Sequence, residues 1–293
     1  MVTGCNHYRI TQPLIALLTD FGNDEAPYLI ESAIHYINPR AAVRTITNNV
    51  PVFNILCGAW RLFRIVSSPT ELKGNIYVCV VDPGVGSERE CIIVKTKTGK
   101  YLVGPNNGVL SLAFVNEGVD TVIEIRNDKL TLLKNSKSNT FHGKDIFGPV
   151  AGYISNGVEI HDFGVELPIG KLKIIQLSSS RNENSLEGVL VDIDSFGSLR
   201  TNIPNDFVSE IKNRKVYLSI ESTKLLYDGK AKISETFSGN SNTDILLVPS
   251  STGYLDIVVN TKNAASILGI KPDDIKLNGL RPHTKITLNF EKF

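Results

Sequence analysis

The stretch "NIYVCVVDPGVGSERE", residues 75–90, decides how the first half of this chain is read. Its strand-forming run, residues 75–81, ends in an aspartate and drops into a Pro-Gly-Val-Gly turn. It comes out with Arg89, seven positions after Asp82. A carboxylate and a guanidinium stand on opposite sides of a glycine turn, and that placement calls for a reason.

Upstream of it, residues 14–18 (LIALL) read as a buried strand. Residues 25–37 read as a helix with apolar positions at Leu29, Ile30, Ala33, Ile34 and Ile37, and residues 43–47 as the next strand. Asn54 is placed to cap a helix running to about Val66, whose nearly all-round apolar content predicts burial. Downstream, residues 91–95, 101–103 and 121–125 read as strands and 145–154 as a helix. Strand and helix alternating in this way predict an α/β fold with a mostly parallel sheet covered by helices on both faces.

Near residue 175 the texture changes. "QLSSSRNENS" (176–185) is polar and has no periodic apolar residues, which marks a linker. Beyond it come alternating runs at 188–193, 215–220, 244–248, 254–259 and 285–289, with one short helix at 264–268. That pattern predicts a small β-barrel or sandwich. The expected division is an N-terminal α/β domain over 12–176 and a C-terminal β-barrel domain over 186–293.

Composition removes several classes of function. The 293 residues are 42% hydrophobic and 21% charged, with a formal net charge of +1. No apolar run is long enough to span a membrane, and no basic cluster marks a nucleic-acid surface. Neither a membrane nor a nucleic acid is therefore an expected partner. Cys5, Cys57, Cys79 and Cys91 lack metal-ligand spacing and read as small buried hydrophobes. The start, "MVTGCNHYRITQP", carries no leader pattern, so a cytoplasmic location is the expectation.

In open α/β sheets, ligands bind beyond the carboxyl ends of strands. Polar clusters at such places are "TDFG" (19–22), "VDPGVGSER" (81–89), "GPNNG" (104–108) and "FHGKD" (141–145), followed in the second half by "DSFGSLRTN" (194–202). Taken singly, Asp20 and Asp145 read equally well as caps, and His142 as a structural hydrogen-bonding residue. No dinucleotide fingerprint, phosphate loop or metal-ligand spacing is present, so no cofactor and no metal are expected.

Taken together, "TDFG", "VVDPGVGSER", "GPNNG", "FHGKDIFGPVA", "DSFGSLRTNI" and "SSTGYLDIVVN" resemble, in order and wording, the S-adenosylmethionine hydrolase family (S-adenosyl-L-methionine hydroxide adenosyltransferases), relatives of the fluorinating and chlorinating enzymes. The resemblance runs from about Ile15 to Asn260. It implies hydrolysis of S-adenosyl-L-methionine to adenosine and L-methionine by water attacking C5′, with S-adenosylmethionine as substrate and no cofactor. It also implies a homotrimer whose active site lies between neighbouring subunits.

The family's catalytic aspartate, arginine and histidine match Asp82, Arg89 and His142. The glycine turn would let Asp82 and Arg89 fold back toward one point, where His142 completes a water site. Asp82 and His142 are expected to share the water's proton while Arg89 holds Asp82. By the same carry-over Asp20 accepts the ribose hydroxyls, Asp194 pairs with the methionine ammonium, and Ser251, Thr252 and the backbone of Tyr254 lie near the methionine carboxylate. Ser198 stands where the family usually has an adenine-reading asparagine; either its hydroxyl reaches adenine through water or the role passes to Asn202. Lys144 replaces a common arginine, and "GPNNG" replaces Gly-Pro-Asp-Asn-Gly. Two alternatives are a halogenase using a halide nucleophile, disfavoured by the carboxylate of Asp82, and a non-catalytic S-adenosylmethionine-binding protein.

Overall fold

A computed structural model describes residues 13–135, 139–208, 211, 214–237 and 240–291. The readings made on residues 1–12, Cys5 among them, lie outside the described residues, as do the last two residues of the expected second domain. The first half runs β1 (Leu14–Thr19), α1 (Ala26–Ile37), β2 (Ala42–Thr47), α2 (Ile55–Val66), β3 (Ile76–Val80), β4 (Cys91–Thr96), β5 (Tyr101–Pro105), α3 (Ser111–Glu117), β6 (Val119–Ile125), α4 (Gly148–Ser155) and β7 (Gly164–Glu166).

These strands form one sheet in the order β2-β1-β3-β5-β4-β6-β7. β1 pairs in parallel with β2 and β3, and β3 with β5, while β4 lies antiparallel between β5 and β6, and β7 antiparallel to β6. Five of the seven strands thus point one way, as the alternation predicts. The antiparallel insertion follows from the short "KTGK" reversal between β4 and β5, since a turn of a few residues can only join antiparallel neighbours.

Both faces of the sheet are buried, because successive residues of each central strand join different cores. Ile15 and Leu17 of β1, with Ile76, Val78 and Val80 at β3, pack under α1 and α4 against Ile34, Phe147 and Val150. Ala16, Leu18, Tyr77, Cys79 and Val81 pack on the other side against α2 and α3, through Leu56, Trp60, Leu62 and Phe114. Asn54 caps α2 as expected, its side chain accepting from the Cys57 amide at 3.0 Å. The helix was read as buried all round because it lies between two surfaces: the same apolar cluster continues into the barrel through Leu190, Val191 and Leu199.

The second half contains β8 (Ser180–Arg181), β9 (Ser185–Ile193), β10 (Leu199–Pro204), β11 (Val216–Glu221), β12 (Leu225–Ile233), β13 (Ile245–Pro249), β14 (Tyr254–Val259), α5 (Ala264–Leu268), a small hairpin of β15 (Leu277–Asn278) and β16 (Arg281–Pro282), and β17 (Lys285–Phe290). The order β10-β14-β13-β12-β11-β17-β9 closes on itself through the β9–β10 pairing, giving a seven-stranded barrel. Closure removes the free edges that an open sheet would present.

Candidate active site

The chain leaves β1 for β2 on one side and returns to β3 on the other, so β1 and β3 flank the point where the winding reverses. α1 and α2 lie on opposite faces there, which opens a crevice beyond the strands' carboxyl ends. Asp20 follows β1 and Asp82 follows β3, two carboxylates at the mouth of that crevice.

Asp82 and Arg89 meet across the turn, as the sequence reading expected. Arg89 Nε donates to Asp82 Oδ1 at 3.0 Å and Nη2 donates to Oδ2, the planar fork matching the carboxylate. Their side chains are only 10% and 4% exposed, so the pair is screened little by solvent. Gly86 makes this geometry possible. It adopts φ +80°, and a Cβ there would lie 3.1 Å from the Asn139 carbonyl oxygen, on the loop that delivers His142.

His142 is buried and joins the pair through Nδ1, 2.7 Å from Arg89 Nη2. A guanidinium offers only donors, so Nδ1 must be the accepting nitrogen. The ring proton then sits on Nε2 and is donated to Asn139 Oδ1 at 2.8 Å. The neutral ring that this requires agrees with its acidity: burial and the charge of Arg89 hold His142 below the ordinary histidine value, against a smaller opposing pull from Asp82 and Asp145. Arg89 Nη1 completes its set by donating to Cys91 Sγ at 2.9 Å. The reading of Cys91 as an inert hydrophobe therefore needs correcting, whereas Cys57 and Cys79 are buried as expected.

Asp20 is 8% exposed and accepts from the Phe53 amide at 2.7 Å. Burial raises its pKa above the ordinary carboxylate value, opposed by the Phe53 and own-backbone hydrogen bonds, and the charge of Asp82 adds to the rise. Phe53 is held at φ 62° and is 66% exposed, a conformation that sequence pattern does not announce in a non-glycine residue.

The remaining expected residues gather at the barrel. Asp194 Oδ1 accepts from the amides of Phe196 (3.0 Å) and Ser198 (2.8 Å), and Oδ2 accepts from Arg200 Nη2 (3.1 Å). Asp194 and Thr252 line one cavity, with Arg61, Arg64 and Arg200. Ser251 is exposed in the turn before β14. The Tyr254 ring packs edge-on against Trp60, 4.9 Å between centroids, which leaves its backbone as the expected contact.

Asn202 is occupied within the barrel. Its Oδ1 accepts from the Val189 amide at 2.7 Å and its Nδ2 donates to the Ser178 carbonyl at 2.9 Å, whereas the Ser198 hydroxyl makes no hydrogen bond among the described residues. "GPNNG" is a brace: Asn106 ties Glu90 to Lys171, and Asn107 donates to the Val81 carbonyl beside Asp82. Lys144 pairs with Asp145. Among the described residues, no group of histidine, cysteine and carboxylate side chains is arranged to hold a metal ion.

Residues 15–164 match the SAM hydroxide adenosyltransferase N-terminal domain, and residues 188–276 match the C-terminal domain of the same family. The chain is similar to the (R)-S-adenosyl-L-methionine hydrolase of Methanocaldococcus jannaschii, 29% identical over 269 residues, 88% of this chain and 92% of that protein. It is also similar to the protein of the same name from Salinispora arenicola, 28% identical over 89% of this chain and 96% of the relative. An uncharacterised conserved protein from Thermotoga maritima, 29% identical, superimposes with a TM-score of 0.80 over 94% of this chain and 99% of its own. With matches over both halves, the chain belongs to the SAM hydroxide adenosyltransferase family.

Proposed function

We propose that this protein hydrolyses S-adenosyl-L-methionine to adenosine and L-methionine, with Asp82 as the group that takes the proton of the attacking water. A C5′–O bond forms as the C5′–S bond breaks, the bonding electron pair stays on sulfur, and neutral methionine leaves. No acid is needed for departure. The barrier lies with the nucleophile, which must be aligned and relieved of a proton.

The observation that carries the reading is the contact of Asp82, Arg89 and His142 at the crevice. Arg89 occupies one lone pair on each Asp82 oxygen and leaves others free to accept from water. Sharing the proton equally with His142 is less consistent with the ring, whose Nδ1 is filled by Arg89 and whose Nε2 already carries hydrogen. His142 then acts as a positioning residue that keeps Nη2 turned onto Asp82. Asp20 would hold the ribose hydroxyls, Asp194 the methionine ammonium, and Ser198 the adenine edge.

The finer organisation is proposed with it: two domains over 12–176 and 186–293, a cytoplasmic homotrimer, no cofactor, and a site completed between subunits. What supports the shared site is that Phe53, 66% exposed beside Asp20, and Phe196, 80% exposed in the Asp194 turn, are large apolar side chains left uncovered in one chain.

The test is incubation with each sulfonium epimer of S-adenosylmethionine in 18O-labelled water, with and without chloride. The epimers matter because the relatives' names specify the (R) form. Label in the 5′-hydroxyl of adenosine, unaffected by chloride, is expected. Recovery of intact substrate, or a 5′-chloro product, would overturn the proposal.

A further inference from the structure

The cavity between α2 and the barrel has a volume of about 600 Å³ and is lined by Arg61, Arg64, Asp192, Asp194, Arg200 and Thr252, among others. Most of its charges are matched. Arg61 forks onto Asp192, Nε to Oδ2 at 2.9 Å and Nη2 to Oδ1 at 2.8 Å, which ties α2 to β9. Arg200 donates to Asp194 and lies 3.7 Å from Asp256. Arg64 is different. It lies three residues after Arg61 on α2 and so shares its face, yet its guanidinium makes no hydrogen bond and no ion pair among the described residues.

The Nε of Arg64 is fully buried with no partner among the described residues, which is costly, since a desolvated donor loses its water and gains nothing in return. Arg200 beside it makes matters worse: burial and that like charge both push the Arg64 pKa below its ordinary value, against the pull of Asp256, Asp192 and Asp194. The position is explained if an oxygen anion completes it when the cavity is filled.

The charge balance says what kind of group that is. The lining carries Arg61, Arg64 and Arg200 against Asp192 and Asp194, one positive charge in excess, which a carboxylate offsets. An α-amino acid carries ammonium and carboxylate on one carbon, which suits a cavity with a carboxylate at Asp194 and an unpaired guanidinium at Arg64.

We infer that Arg64 binds the carboxylate of the substrate's methionine end, so that this cavity reads a free α-amino acid zwitterion. The inference rests on the reading of Asp194 as the ammonium partner. It assigns to Arg64 a contact that the sequence reading gave to the segment at Ser251 and Thr252. The hydroxyl of Thr252 lies 2.6 Å from that of Ser250 and carries no charge to offer a carboxylate.

The test uses equilibrium binding, so it does not depend on turnover. L-methionine and 3-(methylthio)propylamine, which lacks only the carboxylate, are titrated into the full chain and into Arg64→Gln and Arg64→Lys. The wild-type chain is expected to prefer methionine, and Arg64→Gln to lose roughly 10- to 100-fold in methionine affinity, the usual worth of a charged hydrogen-bond partner. The preference for methionine over the amine should vanish with it. Arg64→Lys, which keeps the charge without the fork, should recover part of the preference. Equal losses for both ligands, or an unchanged preference in Arg64→Gln, would overturn the inference. Failure of the hydrolysis reading shows separately, as intact S-adenosylmethionine in the turnover assay.

Discussion

Replacing Asp82 by asparagine separates a catalytic carboxylate from a bracing one. The side chain keeps its shape, but one oxygen becomes an NH₂ group facing the donors of Arg89. A buried ion pair deprived of one partner typically loses about 3–5 kcal/mol, and the oxygen that asparagine retains places this variant near the lower end, about 3 kcal/mol. At about 2–4 °C per kcal/mol for a protein of this size class, Tm should fall by about 6–12 °C. A protein that has lost only a brace would still turn over normally while folded. The proposed role demands more: kcat lower by roughly 100-fold or more, the usual worth of a general base, with affinity for S-adenosylmethionine within about tenfold. Both quantities are read on one preparation, Tm by thermal melt and kcat well below the transition. A kcat within about tenfold of the parent alongside the lowered Tm would refute the assignment and leave Asp82 as a structural partner of Arg89.

Further outcomes follow from the geometry. Because His142 must be neutral to accept from Arg89, kcat/KM should fall on the acid side with a midpoint below the ordinary histidine value of 6.5, and a pH profile with a midpoint above 6.5 would contradict it. The same depressed value means the unfolded chain binds the proton more readily, so this group's contribution to stability is complete above about 6.5 and declines as pH falls through that value toward the folded-state one. Gly104→Ala would set a Cβ 2.5 Å from the Cys79 carbonyl oxygen on the neighbouring strand, and denaturant titration should show a loss of about 1–3 kcal/mol. Asn202→Ala should cost about 1–3 kcal/mol of stability by leaving the Val189 amide and Ser178 carbonyl without partners, with KM little changed. Ser198→Ala should instead raise KM and leave the melting temperature in place; the opposite pattern would show that the adenine contact has been misassigned.

The alternating half and most of the barrel are legible in the sequence, because strand and helix periodicities, the Asn54 cap and the glycine turn are local properties. Tyr254–Val259 and Ala264–Leu268 fall where their patterns place them. The misses are also local in cause. α3 is only seven residues long, too short to establish a period, and β12, "LLYDGKAKI", is largely exposed and lacks a continuous apolar face. The glycine turn likewise predicted that Asp82 and Arg89 would meet, since seven residues and a reversal bring them together.

Only the tertiary structure decided what surrounds them. His142 comes from 53 residues away to accept from Arg89, and its tautomer depends on Asn139, which the motif reading passed over. Cys91, apolar in its strand pattern, becomes a hydrogen-bond partner because β4 begins beside the turn. Asn202 is withdrawn from ligand reading by Val189 on the neighbouring strand β9. Asp192, 131 residues away in sequence, takes Arg61, and Arg64 has no partner among the described residues. Which donor finds which acceptor depends on how the sheet, α2 and the barrel pack, and local sequence carries no record of that choice.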